Sequence, residues 1–422
     1  MRIDGNLPHD PGKDYSMQRI DELKLYRLEW DSPAFAANPW PEFEKARAVH
    51  PWLAVTDVGY VVFELKAIRD LLGNDENLTP SFDAIVEIMD CKGSPWGRFA
   101  AEQMIALPDR EHKLLRETFA AKFTPRYANQ LRPIMRQIME GLLAEWAPKG
   151  KIDFEEFASY YPVSVMTRMI GAPLEAIPAL RDSMETLGLA FSMDKRRVPA
   201  LDAAFLHLDG FVHQLVAERR ANPRQGGEPD LLDLLIEAAG EGGINDRQLA
   251  DLLTFLFVAG YDTSKNVLTY MMHLMTENPE IYARCAENLD YCRKVVEESL
   301  RMFNPASTNR VTTADITYRD VLIPKGTVLF FTLNVSGRDT TAFEDAEAFN
   351  PDRPIDPARR HVAFGLGRHM CLGQYIARAQ LQEGLHLIAR HMRKPHEAGE
   401  KGWRPYPGVW GINGLPIEFE PA

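Results

Sequence analysis

Cysteine is scarce in this chain: 422 residues hold four, Cys91, Cys285, Cys292 and Cys371. They lack any paired spacing, which excludes a disulfide-stapled secreted scaffold and suits a reducing, cytoplasmic setting. Long apolar runs are missing too. No stretch reaches 18 apolar residues, so none is expected to span a membrane. The first residues, Met1 to Asp21, are polar, without the apolar region of a secretion signal or an anchor helix. Basic runs are absent, and 48 Lys+Arg against 60 Asp+Glu leave a net charge of −12. That balance argues against a nucleic-acid surface. There is no internal repeat and no low-complexity segment.

What remains is ordinary globular material, 45% hydrophobic and 26% charged, enough for a sizeable core. Residues 1–40 carry several prolines and read mostly as irregular. Pro41 to His50 reads as a short helix. Residues 52–63 have strand composition on both sides of Asp57-Val58-Gly59, which predicts a hairpin. From about Asp109 the pattern is overwhelmingly helical. A second β-rich patch runs from Arg310 through 316–318 and 328–331, and Gly408 to Phe419 looks like another hairpin. Both β patches are too small for cores of their own, so one large domain over 1–422 is expected. The longest helix candidate starts at Asn245, with Gln248 three residues on as a capping box, and runs to about Met275. It is apolar on nearly all sides from Leu252 to Ala259 and should be central and buried.

The richest stretch surrounds one thiol: Phe364-Gly365-Leu366-Gly367-Arg368-His369-Met370-Cys371-Leu372-Gly373. A thiolate near backbone N–H groups, cations or a metal stays ionised and acts as a ligand. Glycine lets the backbone turn over the sulfur and approach a flat cofactor. The helix predicted from Gln374 to Arg390 would point its positive end at that sulfur. Three other readings compete. Gly365-x-Gly367 is half a dinucleotide fingerprint, but Met370 stands where its third Gly belongs and no ribose-binding acid follows. A zinc site would have only His361 and His369 nearby. A lone Cys is most often a small buried hydrophobe.

The full pattern F-G-x-G-x-H-x-C-x-G resembles the haem-ligand loop of the cytochrome P-450 superfamily, in which the cysteine is the axial iron ligand. Other stretches are similar to that family in its order. Ala259-Gly260-Tyr261-Asp262-Thr263-Ser264 puts an acid and an alcohol inside a buried helix, costly unless used. It resembles the family's oxygen-binding kink, where the threonine hydroxyl bonds dioxygen, the acid relays protons and the glycine lets the helix approach the cofactor. A Thr bonding back to the preceding turn and an Asp in a local ion pair is the plainer reading. Glu298 and Arg301, three apart on one helix face, would ordinarily be a solvated bridge. With Arg353 they resemble the family's buried Glu–Arg–Arg network behind the cysteine loop. His112 and Arg116, four apart, resemble the pair that clamps one haem propionate; Arg310 and His361 would bind the other. A dianionic edge in a half-buried cleft calls for such charge-assisted donors.

The resemblance implies a mainly α fold with small β-sheets (α+β), the cytochrome P-450 fold with a β-rich subdomain. It implies haem b bound by Cys371, with Gly260, Phe364, Gly365 and Gly373 against it, and Thr263 and Asp262 in catalysis. It implies a monooxygenase acting as a monomer on O2 and a hydrophobic small molecule. The family outline lines that substrate pocket with Phe82, Phe255, Val258, Ala259, Ala306, Ser307 and Ile412. No flavin or ferredoxin module follows residue 391, so a separate ferredoxin-type protein is expected to supply electrons. A peroxide-driven peroxygenase or an isomerase of the same fold, or a haem-based gas-binding protein, would have no use for the Asp262–Thr263 pair. No acid lies between Pro357 and Gln382, where Arg359, Arg360, Arg368 and Arg378 surround the cysteine loop. Lys113 and Arg126 could extend this patch as a docking face for an acidic ferredoxin.

Overall fold

The longest element is the helix Asp246–Glu277, 32 residues and so roughly 48 Å at 1.5 Å per residue. Its first turn is closed by Asn245, whose side chain accepts the N–H of Gln248 (2.9 Å), while Gln248 Oε1 accepts the N–H of Asn245 (3.0 Å). It ends at Asn278, directly before Pro279 opens the next helix. This central helix packs against Phe154–Ile170, Ile177–Gly188 and Val198–Ala221, which explains its near-continuous burial. Gln374–His391, which also touches the central helix, packs against Pro125–Trp146 and Leu289–Met302. The computed structural model describes residues 17–240, 243–354 and 356–422. Residues 1–16 of the segment expected to be irregular lie outside these. Within the rest of it, Ser32 caps a short helix, Pro33–Ala37.

Five strands form the main sheet, in the order Leu53–Thr56, Gly59–Val62, Val328–Phe331, Thr308–Thr312, Leu78–Thr79. The first two are the expected hairpin, with Leu53 opposite Val62 and Thr56 opposite Gly59. Ala54, Val61 and Phe330 of the sheet join the main apolar core, while other sheet residues belong to a second cluster. Trp52, Leu53, Leu329 and Phe331 pack on Ile68 and Leu71 of the helix Leu65–Leu72. The helix supplies the second layer that a small sheet needs, and the sequence reading did not pair it with the sheet. The expected hairpin over 408–419 does not form. Ile412–Asn413 pairs with Gly402–Trp403, and Pro416–Pro421 lies between Lys151–Asp153 and Met392–Glu397. Each strand finds a partner further away in sequence, which local turn signals do not reveal.

Behind the cysteine loop, Glu298 and Arg301 are buried, 6% and 4% exposed. Arg301 forks onto Glu298 (2.9 and 2.8 Å) and donates to the carbonyls of Gly337, Ala346 and Ala348 (2.6, 2.7 and 2.9 Å). Arg353 reaches Glu298 at 3.4 Å and the carbonyls of Asp345 and Ala348 at 2.9 and 3.1 Å. A Cβ on residue 337 would lie 1.8 Å from the Arg301 carbonyl oxygen, so only glycine fits there. The network ties an irregular stretch of chain, 337–353, to one helix. A guanidinium left buried without its acid is heavily penalised. Glu298→Gln is therefore expected to cost about 3–5 kcal/mol, read as a lowered urea midpoint; an unchanged midpoint would show the network to be dispensable.

Candidate functional site

The cysteine loop is folded back on itself by backbone bonds: Gly365 N–H to Val362 O (2.8 Å), Met370 N–H to Gly367 O (3.2 Å) and Cys371 N–H to Phe364 O (2.8 Å). Gly365 and Gly367 take φ of +67° and +69°, a region that favours glycine, so the two glycines of the motif are what permit this turn. Gly373 caps the helix Gln374–His391, and the N–H groups of Gly373 and Gln374 reach the Cys371 sulfur. The cysteine is exposed and lines a cavity of ≈ 250 Å³. Protein otherwise encloses the sulfur, and that burial pushes the thiol up. The two N–H groups, Arg116 and Arg378 pull the other way without overcoming it. The sequence expectation of an ionised sulfur rested on backbone N–H groups together with cations or a metal, and of these the N–H groups and the cations are in place. A bound metal ion would supply the missing positive charge.

Across the cavity stands the central helix. Ala259, Gly260 and Thr263 face the lumen, as do Ser264 and Val267, along one stripe of the helix. Thr263 Oγ1 donates to Ala259 O (3.0 Å), the back-bond of the plainer reading, while the residue still lines the cavity. A Cβ on Gly260 would first meet Met166 Cε, at 2.3 Å, so the glycine also makes room for the neighbouring helix.

Asp262 is not in the lining. It is 1% exposed and points at Gly188 and Arg404, whose guanidinium forks onto it (2.6 and 2.8 Å). Lys265, fully buried, lies 3.6 Å from Asp262 and bonds Glu155 (2.6 Å) and Glu185 (3.2 Å). Sequence reasoning missed Arg404 and Lys265. A buried Lys three residues after the acid was the available signal.

The expected propionate residues divide. Arg310 is 4% exposed and lines the cavity; burial pushes it down to about 10, with Asp75 opposing. His112 is buried and stacks on His369, centroids 4.1 Å apart. Burial, then Arg116 and Arg310, push His112 down to about 4. Burial, then His112 and the nearby arginines, push His369 down to about 3. Arg116 donates to Met370 O (2.7 Å). His361 is elsewhere: its Nε2 lies 3.1 Å from Glu297 Oε2, outside the cavity lining. The histidine that joins His112 and Arg310 is His369, already inside the quoted motif.

Of the expected substrate contacts, Phe82, Ala259, Ala306 and Ser307 line the cavity. Phe255, Val258 and Ile412 do not. Phe255 and Val258 pack, partly buried, against the main apolar core. Ile412 is fully buried in its pairing with Trp403.

Comparison with known proteins agrees with this geometry. The family model for cytochrome P-450 matches residues 190–401. Luteothin monooxygenase of Streptomyces thioluteus is 30% identical over 400 residues, covering 94% of this chain and 96% of its own. The chain belongs to the cytochrome P-450 family. Nocardicin C N-oxygenase of Nocardia uniformis subsp. tsuyamanensis is 31% identical over 290 residues, 68% of this chain and 70% of its own. The structure of P-450BioI in complex with hexadec-9Z-enoic acid ligated acyl carrier protein superposes with a TM-score of 0.83 at 23% identity, over 92% of this chain and 100% of that one. The chain is accordingly a cytochrome P-450 monooxygenase of the bacterial type with the α+β fold of that family. No described helix is long and apolar enough to cross a membrane.

The family implies a haem cofactor, and the residues of this P-450 fit one. The cavity floor presents a sulfur; Ala259 and Gly260 opposite leave room for a flat group. At one edge, His112 Nε2 and His369 Nδ1 are buried without a hydrogen-bond partner among the described residues, as donors to an anionic edge would be.

His361 and Arg378 instead enclose Glu297. Burial raises that carboxyl, but hydrogen bonds from His361 and Arg378 outweigh it and bring it to about 2, below its ordinary 4.5. The acid is thus held ionised more strongly in the folded P-450 than in the unfolded chain. This contribution to stability is fully present above pH 4.5 and disappears as pH falls toward 2. Glu297→Gln should therefore lower stability at pH 6 and flatten its acid limb between pH 5 and 3, measured by urea denaturation at each pH. A limb of unchanged slope would place the acid sensitivity elsewhere.

Proposed function

We propose that this P-450 inserts one oxygen atom of O2 into a hydrophobic small molecule at haem b bound by Cys371, with electrons from a separate ferredoxin-type protein. The observation that carries this reading is the placement of Cys371 and Thr263 across one mostly apolar cavity. When bound, the haem supplies the oxidation itself, its thiolate ligand pushing electron density that favours O–O cleavage. The chain contributes position, protons and exclusion of water. Arg310, His112, His369 and Arg116 would hold the carboxylate edge. Leu72, Phe82, Val165, Met166 and Leu333 give the cavity apolar walls, which suits a hydrophobic substrate.

Thr263 Oγ1 would give a proton into the cavity by turning from its bond to Ala259 O (3.0 Å). Its neighbour Asp262 belongs to a buried charge cluster that extends through Lys265 to Glu185, whose side chain is 37% exposed. Protons entering at Glu185 would pass Lys265 and Asp262 before reaching Thr263, and Asp262 must loosen its hold on Arg404 to take part. Thr263→Ala is expected to keep haem content and substrate binding but to divert reducing equivalents into hydrogen peroxide. Product formation per NADPH, with peroxide measured alongside, checks this; unchanged coupling would leave Thr263 a structural residue.

Electrons are proposed to enter on the cysteine side. Three of the cations there already have partners inside the chain: Arg359 with Asp356 (3.3 Å), Arg368 with Asp109, Arg378 with Glu297 (2.5 Å). Arg360 is exposed and makes no ion pair among the described residues. Met370 and Tyr375, flanking the cysteine in sequence, are exposed apolar residues, 37% and 40%. Exposed apolar residues and an exposed cation in the segment around the cysteine would suit an acidic ferredoxin. First-electron transfer should weaken with salt, and Arg360→Glu should slow it without altering substrate affinity. Stopped-flow reduction that is indifferent to both would rule out this face.

A further inference from the structure

Asp75 lies between the helix Leu65–Leu72 and the strand Leu78–Thr79, far in sequence from the cysteine loop, yet the two meet. Its Oδ2 accepts the backbone N–H of Arg368 at 3.0 Å. A Cβ built on Gly367 would lie 2.6 and 2.7 Å from its two carboxylate oxygens, so any side chain at 367 would push the acid away. The same stretch grips the chain a second time upstream, where Arg69 donates to the carbonyl of Arg360. Asp75 makes no ion pair among the described residues, although it lies close enough to Arg310 and His112 to act on both.

An uncharged acceptor would also take the Arg368 N–H, though in a weaker bond. The charge of Asp75 also acts beyond that bond. It sits at the edge where Arg310, His112 and His369 gather, and it adds a negative charge to that edge.

We propose that Asp75 is a positioning residue for the cysteine ligand: its carboxylate holds the loop at Gly367–Arg368 and places a fixed negative charge beside the cofactor's anionic edge. Two consequences separate the hydrogen bond from the charge. The bond keeps Cys371, three residues after Arg368, in register with the cavity. The charge opposes addition of an electron nearby and keeps the reduction potential low. Asn preserves an acceptor for the Arg368 N–H and removes the charge; Ala removes both.

The inference rests on the haem-thiolate reading of Cys371, so the test uses haem-loaded wild type, Asp75→Asn and Asp75→Ala. Amide exchange of the segment 366–372, followed by mass spectrometry, reports the hold. The ferric–ferrous midpoint potential, from spectroelectrochemical titration without substrate, reports the charge. Exchange in Asp75→Ala should be about tenfold to a hundredfold faster, as expected for loss of a charge-assisted bond. It should stay much closer to wild type in Asp75→Asn, and both variants should share a positive shift in potential. Should Asp75→Ala not retain haem, Asp75→Asn alone still decides the charge, and its rescue of haem retention supports the hold. Wild-type exchange in Asp75→Ala, exchange in Asp75→Asn as fast as in Asp75→Ala, or an unshifted potential in Asp75→Asn would overturn the proposal. A wild-type protein without a thiolate-type spectrum would instead strike the haem-thiolate reading.

Discussion

One sulfur has to be held in a place that disfavours its charge. Cys371 faces a cavity enclosed by protein, and there burial outweighs two backbone N–H groups and two arginines in setting the state of the thiol. The haem iron that the family implies would complete such a site, since a coordinating thiol loses its proton outright. The surroundings follow from this. The two positive-φ glycines turn the loop under the cavity, the helix Gln374–His391 points its N-terminus at the sulfur, and the central helix closes the opposite side.

Many of the other buried charges are closed into pairs or small networks: Glu298 with Arg301 and Arg353, Asp262 with Arg404, Lys265 with Glu155 and Glu185, and Glu297 with Arg378. Such pairs add little net stability over apolar packing, but each is costly to break singly. Their use here is geometric. Glu298 fixes the chain behind the loop, Glu297 joins His361 before the loop to Arg378 after it, and Arg404 fastens the C-terminal segment to the central helix. At the cavity edge, His112 Nε2 and His369 Nδ1 are two of the buried polar atoms left without a partner among the described residues.

Much of this was legible in the sequence because it is local. The capping box at Asn245, the hairpin at 53–62, the cysteine loop and the Glu298–Arg301 spacing each depend on residues a few positions apart. What was not legible depends on where distant segments meet. Asp262 looked like a cavity acid because it adjoins Thr263, but one residue is about 100° around a helix and turns it toward Arg404. His361 was chosen over His369 on position alone, and only the fold shows which histidine stacks on His112. The strand partners of 412–413 and 416–421 and the second apolar cluster under the sheet were hidden for the same reason.

The central claim is that Cys371, as a thiolate, is the axial ligand in this cavity. The most direct measurement is the absorption spectrum of the haem-loaded protein, reduced and saturated with carbon monoxide, beside that of Cys371→His. The account predicts a Soret band shifted far to the red of histidine-ligated haem in the wild type, and loss of that shift in the variant. A histidine-type band in the wild type, or a red-shifted band that survives in Cys371→His, would contradict it.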